Sequence, residues 1–490
     1  MATALETRRL QATGVPGFDD VLSGGFVPGD LYAIEGDTGA GKTTLCLQFL
    51  ISGAAQGEKC LMVTLSESAA DVRAMAKAHG WSLEGIEIVE LSAASEQISQ
   101  GGHYTMFHPS EVELNEATRA IIAAAERVKP TRAVLDSVGE LRLLAQSPLR
   151  YRRQALALRQ FFKRAGCTLL MIDDPRSENI EMAIGSIASG IISLHRETTD
   201  YGAFRRRLQV VKMRGREVRE GLHDFRIRHG GLDVFPRLVA AEHTTSYARE
   251  SVKSGITGID DLLGGGLARG TSTLFLGPAG TGKSSLAAQY ARAATARGDH
   301  AAIFLFDENI ATFLERSAGL GFDAEEVVRK GKLTLRQIDP AELSPGELAH
   351  YVRTVVEEHD TRVVVIDSLT GYLNAMPNEH LLALHLHELL TYLAQQGVTT
   401  ILVMAQHGLI GNERGAPLDA SYLADAVVLL RFFEADGAVR IAISVMKKRT
   451  GVHERTIREL RFDRGAITIG EPIRGFVGVL GGTPHRVAGQ

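Results

Sequence analysis

Two stretches of this chain carry residues suited to gripping a polyphosphate. Gly36-Asp-Thr-Gly-Ala-Gly-Lys42-Thr43 and Gly277-Pro-Ala-Gly-Thr-Gly-Lys283-Ser284 both fit G-x-x-x-x-G-K-S/T. A triphosphate is a dense anion, and holding it takes closely spaced backbone N–H groups without side-chain bulk between them. Gly36, Gly39, Ala40 and Gly41 meet that need in the first copy, and Gly277, Gly280, Thr281 and Gly282 in the second. A helix expected to start at Lys42-Thr43-Thr44 and at Lys283-Ser284-Ser285 adds the positive end of its dipole. The expected ligand is ATP with Mg²⁺. Lys42 and Lys283 are placed to reach its β- and γ-phosphates, and Thr43 and Ser284 to ligate the metal. One such loop also fits a glycine-rich turn with a solvated lysine. Two copies with first glycines 277 − 36 = 241 positions apart in 490 residues do not.

Acids follow at the expected places. Asp136 and Asp367 each close an apolar run, precede a serine, and lie 136 − 42 = 94 and 367 − 283 = 84 residues past the loop lysines. Such an acid at a strand end can hold magnesium through water. Hydrolysis also needs a carboxylate to orient or deprotonate the nucleophile. Glu67, in Thr64-Leu-Ser-Glu-Ser68, fits that role in the first half, and Asp307 and Glu308, in Phe306-Asp-Glu-Asn309, fit it in the second. Gln406, just past another apolar run, is positioned to sense a γ-phosphate. Basic turns, Lys212-Met213-Arg214 and Lys447-Lys448-Arg449, come late in each half. His380, His385 and His387 cluster around Glu388 without the i, i+4 spacing of a helical metal site, and read as ordinary helix residues.

The elements that must position these residues repeat as well. Thr13-Gly-Val-Pro-Gly-Phe-Asp-Asp precedes the first loop, and Ser254-Gly-Ile-Thr-Gly-Ile-Asp-Asp the second. Short apolar runs alternate with helical segments, as in a sheet of parallel strands buried on both faces. The first half offers runs at 31–35, 60–65, 133–136 and 168–173, and the second at 272–276, 302–306, 363–367 and 399–404. The expected fold is therefore α/β, with two tandem P-loop domains, each a mostly parallel sheet flanked by helices. The expected organisation is 1–240, a polar linker at 241–253, and 254–490. A net charge of −4 and a pI near 6.5 argue against a general nucleic-acid or anionic-membrane binder. Three cysteines without C-x-x-C spacing read as reduced core residues of a cytoplasmic protein. The first residues hold no apolar stretch long enough for a signal peptide, so no leader is expected, and no apolar run reaches membrane length.

Taken together, the doubled loops, the acids after the second strand, the K-x-R turns and the Phe235-Pro junction resemble the RecA-type ATPases, and among them the KaiC family, from Thr13 to about Arg486. That resemblance implies two stacked six-membered homohexameric rings assembled with ATP between subunits. It implies that Lys212, Arg214, Lys447 and Arg449 act on a neighbour's γ-phosphate. It also implies a hydrolytic first domain and a second domain that phosphorylates the adjacent subunit. The position matching the family's first acceptor is Ser421, whereas Tyr422 stands where the family has threonine and reads as packing. Ser66 replaces one acid of the first-domain pair, leaving Glu67. The family's long regulatory tail has no counterpart here, so regulation by KaiA is not expected, and the partner in signalling is unknown. Two other readings fit part of the pattern. A nucleic-acid motor would use the basic stretches at 150–164 and 205–207, and a nucleotide-switched scaffold would turn over little ATP.

Overall fold

Apolar runs too short for helices form the strands, and the computed structural model describes residues 10–91, 109–145, 147–173, 184–199, 202–374, 382–406, 422–463, 465–480 and 485–486. The chain divides into two compact units, Met1–Arg237 and Leu238–Gln490.

The first unit holds a nine-stranded sheet. Its strands are β1 (Leu31–Gly36), β2 (Cys60–Thr64), β3 (Ile86–Glu90), β4 (Arg132–Asp136), β5 (Thr168–Asp173), β6 (Gly190–Glu197), β7 (Arg205–Met213), β8 (His223–Arg228) and β9 (Gly231–Phe235). Their order is β3-β2-β4-β5-β1-β6-β7-β8-β9, parallel as far as β6 and antiparallel beyond it. Successive side chains point to opposite faces, so each strand serves two cores. In β5, Leu169 and Met171 join one apolar cluster while Leu170 and Ile172 join the other.

The second unit repeats this plan. After a short ribbon of β10 (Ser251–Val252) and β11 (Leu267–Ala268) come β12 (Ser272–Gly277), β13 (His300–Leu305), β14 (Leu333–Gln337), β15 (Thr361–Asp367), β16 (Thr399–Ala405), β17 (Ala426–Ala435), β18 (Ala438–Lys448), β19 (Arg458–Asp463) and β20 (Ala466–Pro472). Their order is β14-β13-β15-β16-β12-β17-β18-β19-β20, the first sheet's order strand for strand. Both units are thus RecA-like α/β domains. The stretch after Arg237 packs on the second unit. Leu238 and Ala240 are buried in its core, the Ala240 N–H donates to Glu388 Oε2 at 3.2 Å, and Tyr247 Oη donates to the Ala394 carbonyl at 2.8 Å.

Candidate nucleotide sites

In each sheet the central strand, β1 or β12, lies between β5 and β6 or between β16 and β17; the chain leaves it towards β2 or β13 on one side, while the neighbouring β5 or β16 connects across it to β6 or β17 on the other. A loop leaving such a switch point opens into the crevice where open α/β sheets bind ligands. The phosphate loops leave here and lead into the helices Lys42–Ala55 and Lys283–Ala296. Gly41 and Gly282 precede the helices with φ of 108° and 83°. A Cβ on Gly41 would lie 2.6 Å from Ile227 Cδ1, and one on Gly282 2.0 Å from Phe462 Cζ, so both positions need glycine for backbone conformation and for space.

The lysines fold back onto their own loops. Lys42 Nζ donates to the Gly36 carbonyl at 2.6 Å and the Asp37 carbonyl at 3.0 Å, and Lys283 Nζ to the Pro278 carbonyl at 2.6 Å. Thr43 Oγ1 donates to Asp136 Oδ2 at 2.7 Å, and the Ser284 hydroxyl is bonded to Asp367 in the same way. A hydroxyl facing a strand-end carboxylate beside a loop lysine is the donor set that a magnesium–triphosphate requires, so the residues fit that ligand. In the second unit Gly280, Lys283, Ser284, Asp307, Glu308, Asp367 and Ser368 line a cavity of about 390 Å³. Burial holds Asp136 and Asp367 above the ordinary carboxylate range, against the pull of their hydroxyl partners. Burial likewise pushes Lys283 down to about 8, partly offset by Asp367.

The two units lock their second-strand loops identically. The Leu65 N–H donates to the Asp136 carbonyl and the Phe306 N–H to the Asp367 carbonyl, both at 2.7 Å. The acids on these loops nevertheless differ in surroundings. Glu67 is half-buried, and burial, then Asp136 and Asp71, raise it above the usual glutamate range. Its buried Oε2 has no hydrogen-bond partner among the described residues. Glu308 instead receives Arg316 through Nε at 3.2 Å and Nη2 at 2.7 Å, and Arg316 Nη1 also donates to Ser285 Oγ at 3.1 Å. Asp307 accepts a hydrogen bond from Ser368 Oγ. Arg316, and the part Ser368 plays in holding Asp307, are not marked by any sequence motif. The repeat itself held the signal for Arg316, since the same offset from β2 gives Met75.

The basic turns are set by matching bulges, between Ile191 and Ile192 in one sheet and Val427 and Val428 in the other. Lys212 Nζ donates to the Gly185 carbonyl at 2.6 Å and Lys447 Nζ to the Ala424 carbonyl at 2.8 Å. Arg214 donates to the Ser186 carbonyl at 3.1 Å and Arg449 to the Tyr422 carbonyl at 3.1 Å. Met213 packs on the core, and Lys448 Nζ donates to the carbonyls of Leu263 and Gly266. Neither Lys447 nor Arg449 lines the cavity of its own unit. Gln406 follows β16, and its N–H donates to the Gly277 carbonyl at 3.0 Å. Ser421 lies outside the described residues, and Tyr422, expected to serve packing, is instead exposed, its ring left in solvent.

A family model described as "ATPase: KaiC" matches residues 11–239 and again 252–473. The chain belongs to the KaiC family. It is 26% identical over 481 residues to the circadian clock protein KaiC3 of Synechocystis sp., covering 97% of this chain and 94% of that one. It is also 26% identical over 486 residues to the circadian clock oscillator protein KaiC of Parathermosynechococcus lividus, covering 97% and 88%, and 25% identical over 485 residues to that of Synechococcus elongatus, covering 97% and 92%. The likeness spans both repeats, so this is a KaiC-like ATP-binding protein with two nucleotide sites of the RecA-like P-loop type. No helix among the described residues is long and apolar enough to cross a membrane.

Proposed function

We propose that this KaiC-family protein hydrolyses ATP with Mg²⁺ at the subunit interfaces of a homohexameric ring, in the cytoplasm, and that its second domain phosphorylates Ser421. The observation that carries the hydrolysis reading is the pairing of Thr43 with Asp136 beside a half-buried Glu67 whose Oε2 has no hydrogen-bond partner among the described residues. Bound magnesium supplies positive charge to the β- and γ-phosphate oxygens. Thr43 and Ser284 hold it, with Asp136 and Asp367 behind them, and the loop N–H groups and Lys42 or Lys283 hold the phosphates. A carboxylate raised by burial takes a proton from water more readily than a solvated one, which suits Glu67 to the general-base role. Glu308, clamped by Arg316, and Asp307, bonded to Ser368, serve the second site, where the nucleophile is a serine hydroxyl instead of water.

Lys212, Arg214, Lys447 and Arg449 hold the carbonyls beside their own turns, and their reach to a γ-phosphate is across a subunit boundary. Partners are further copies of this chain and a signalling protein still to be found; KaiA-type regulation and nucleic-acid binding are not part of the reading. The test is incubation of the purified chain with Mg²⁺–ATP, following ADP release and phosphopeptides beside a Ser421→Ala control. ADP release with phosphate on Ser421, absent from the control, is the expected result. ADP release without phosphate removes the autokinase, and neither signal removes catalysis and leaves a nucleotide-switched scaffold.

A further inference from the structure

We infer that Glu140 is the second carboxylate of the first nucleotide site, replacing the acid that Ser66 lacks. This rests on the reading of that site as hydrolytic. In the second unit Asp307 stands two residues beyond β13, and Gly371 four residues beyond Asp367. The two positions share one space. A Cβ on Gly371 would lie 2.1 Å from Asp307 Oδ1 and 2.9 Å from its Cγ, so the aspartate carboxylate fills the place where a side chain at 371 would begin.

The first unit carries the reverse pair. Two residues beyond β2 stands Ser66, and four beyond Asp136 stands Glu140, in the first turn of the helix Val138–Ala145. The backbones match at both ends of this comparison. The strand order is the same, and the Leu65 and Phe306 N–H groups bind the carbonyls of the two strand-end aspartates at the same 2.7 Å. Glycine packs on the aspartate in one site, and glutamate and serine stand at the matching positions of the other. A carboxylate has moved from the loop after the second strand to the helix after the fourth. Glu140 is half-buried and makes no hydrogen bond or ion pair among the described residues, so it is uncommitted to any other structural role.

In this arrangement Glu140 accepts one hydrogen bond from the attacking water while Glu67 takes its other proton. The water oxygen bonds to the γ-phosphorus as the bond to the β,γ-bridging oxygen breaks, and that electron pair leaves on ADP. The proton on Glu67 returns to solvent with phosphate release.

The test uses the full-length chain with Lys283→Ala to silence the second site, and measures ADP release, KM and nucleotide affinity. Glu140→Gln should lower kcat about 10- to 100-fold, because a positioned acid–base group contributes roughly 10²–10⁴-fold and this one shares the work with Glu67. The KM for ATP and the nucleotide affinity should stay within about twofold, as expected of an interaction made only in the transition state. Ser66→Asp combined with Glu140→Gly, which rebuilds the second site's pair, should recover most of the rate. An unchanged kcat in Glu140→Gln, or a fall in that variant and no recovery in the rebuilt pair, overturns the inference while hydrolysis by the parent stands. A parent that binds ATP but releases no ADP overturns the hydrolytic reading of the first site, and this inference with it.

Discussion

Replacing Arg142 with leucine should damage the first domain, and replacing its two acidic neighbours as well should repair it. Glu35 and Asp173 face each other across β1 and β5, both near the phosphate loop. Asp173 is 3% exposed and Arg142 9% exposed, and Arg142 Nη2 donates to both carboxylate oxygens of Asp173. Burial, then Asp173, raise Glu35 above the usual glutamate range. The second domain places Leu276 opposite Met404 at the same register, and Leu373 at the position of Arg142, six residues past the strand-end aspartate. The same scaffold thus holds its core with or without this charge cluster. Removing one member of a buried ion pair costs about 3–5 kcal/mol, whereas replacing all members with fitted apolar residues is neutral or stabilising by about 1–4 kcal/mol. For a domain of this size about 2–4 °C of melting temperature accompanies each kcal/mol, so Arg142→Leu should lower the first domain's transition by roughly 6–20 °C. The loss should deepen with pH. Burial already holds Glu35 above its unfolded value, and Arg142 is what lowers it, so without Arg142 Glu35 binds its proton still more tightly folded than unfolded and stability falls as pH rises above the unfolded value of about 4.3. Hydrogen exchange of first-domain peptides reads the effect, with second-domain peptides as internal control. If the triple variant Glu35→Leu, Arg142→Leu, Asp173→Met is as unstable as Arg142→Leu alone, or if Arg142→Leu costs less than about 1 kcal/mol, the reasoning fails.

The other expected outcomes concern the nucleotide sites directly. With Lys42→Ala blocking the first site, nucleotide affinity at the second should weaken as pH rises through about 8, because the buried Lys283 loses its charge there; isothermal titration across pH 7–9.5 would show it. The ligand-free second domain should gain stability over the same rise, since Lys283 binds its proton less tightly folded than unfolded, which chemical denaturation against pH would measure. Arg316→Met, which gives the second site the residue of the first, should free Glu308 and raise ADP release from the second site several-fold, and Met75→Arg should slow the first by a similar factor; steady-state assays with the other loop lysine mutated separate the two. Gly282→Ala should abolish nucleotide binding at the second site, because its Cβ meets the Phe462 ring at 2.0 Å, while far-ultraviolet circular dichroism stays unchanged.

The sequence made the fold legible where its signals were local. Fully buried strands such as Cys60–Thr64 and Thr361–Asp367 are continuous apolar runs, and the loop glycines and strand-end aspartates keep their order in both halves. The edge strands Ile86–Glu90 and Leu333–Gln337 went unread, because half-exposed strands mix charge with apolar residues and look like loops. Arg316 was invisible for another reason. Its partner Glu308 is eight residues away and its role is spatial, so no motif marks it; only the contrast with Met75 does.

Duplication turns such contrasts into an argument about mechanism. Where both repeats hold the same residue type, as with the loop lysines, the strand-end aspartates and the hydroxyls bonded to them, the common demand is nucleotide binding. Where they diverge, they diverge around the attacking group. The first site leaves Glu67 Oε2 buried and without a hydrogen-bond partner; the second sets a paired Glu308 beside Asp307. A carboxylate already engaged by an arginine is a weaker base than one left without a hydrogen-bond partner. Water, with no other group to activate it, needs the stronger base, and a serine held in place by its own chain can react beside the weaker one. The divergence therefore favours faster hydrolysis in the first domain, despite its shorter acidic motif. Rates measured separately in the two loop-lysine variants should fall in that order.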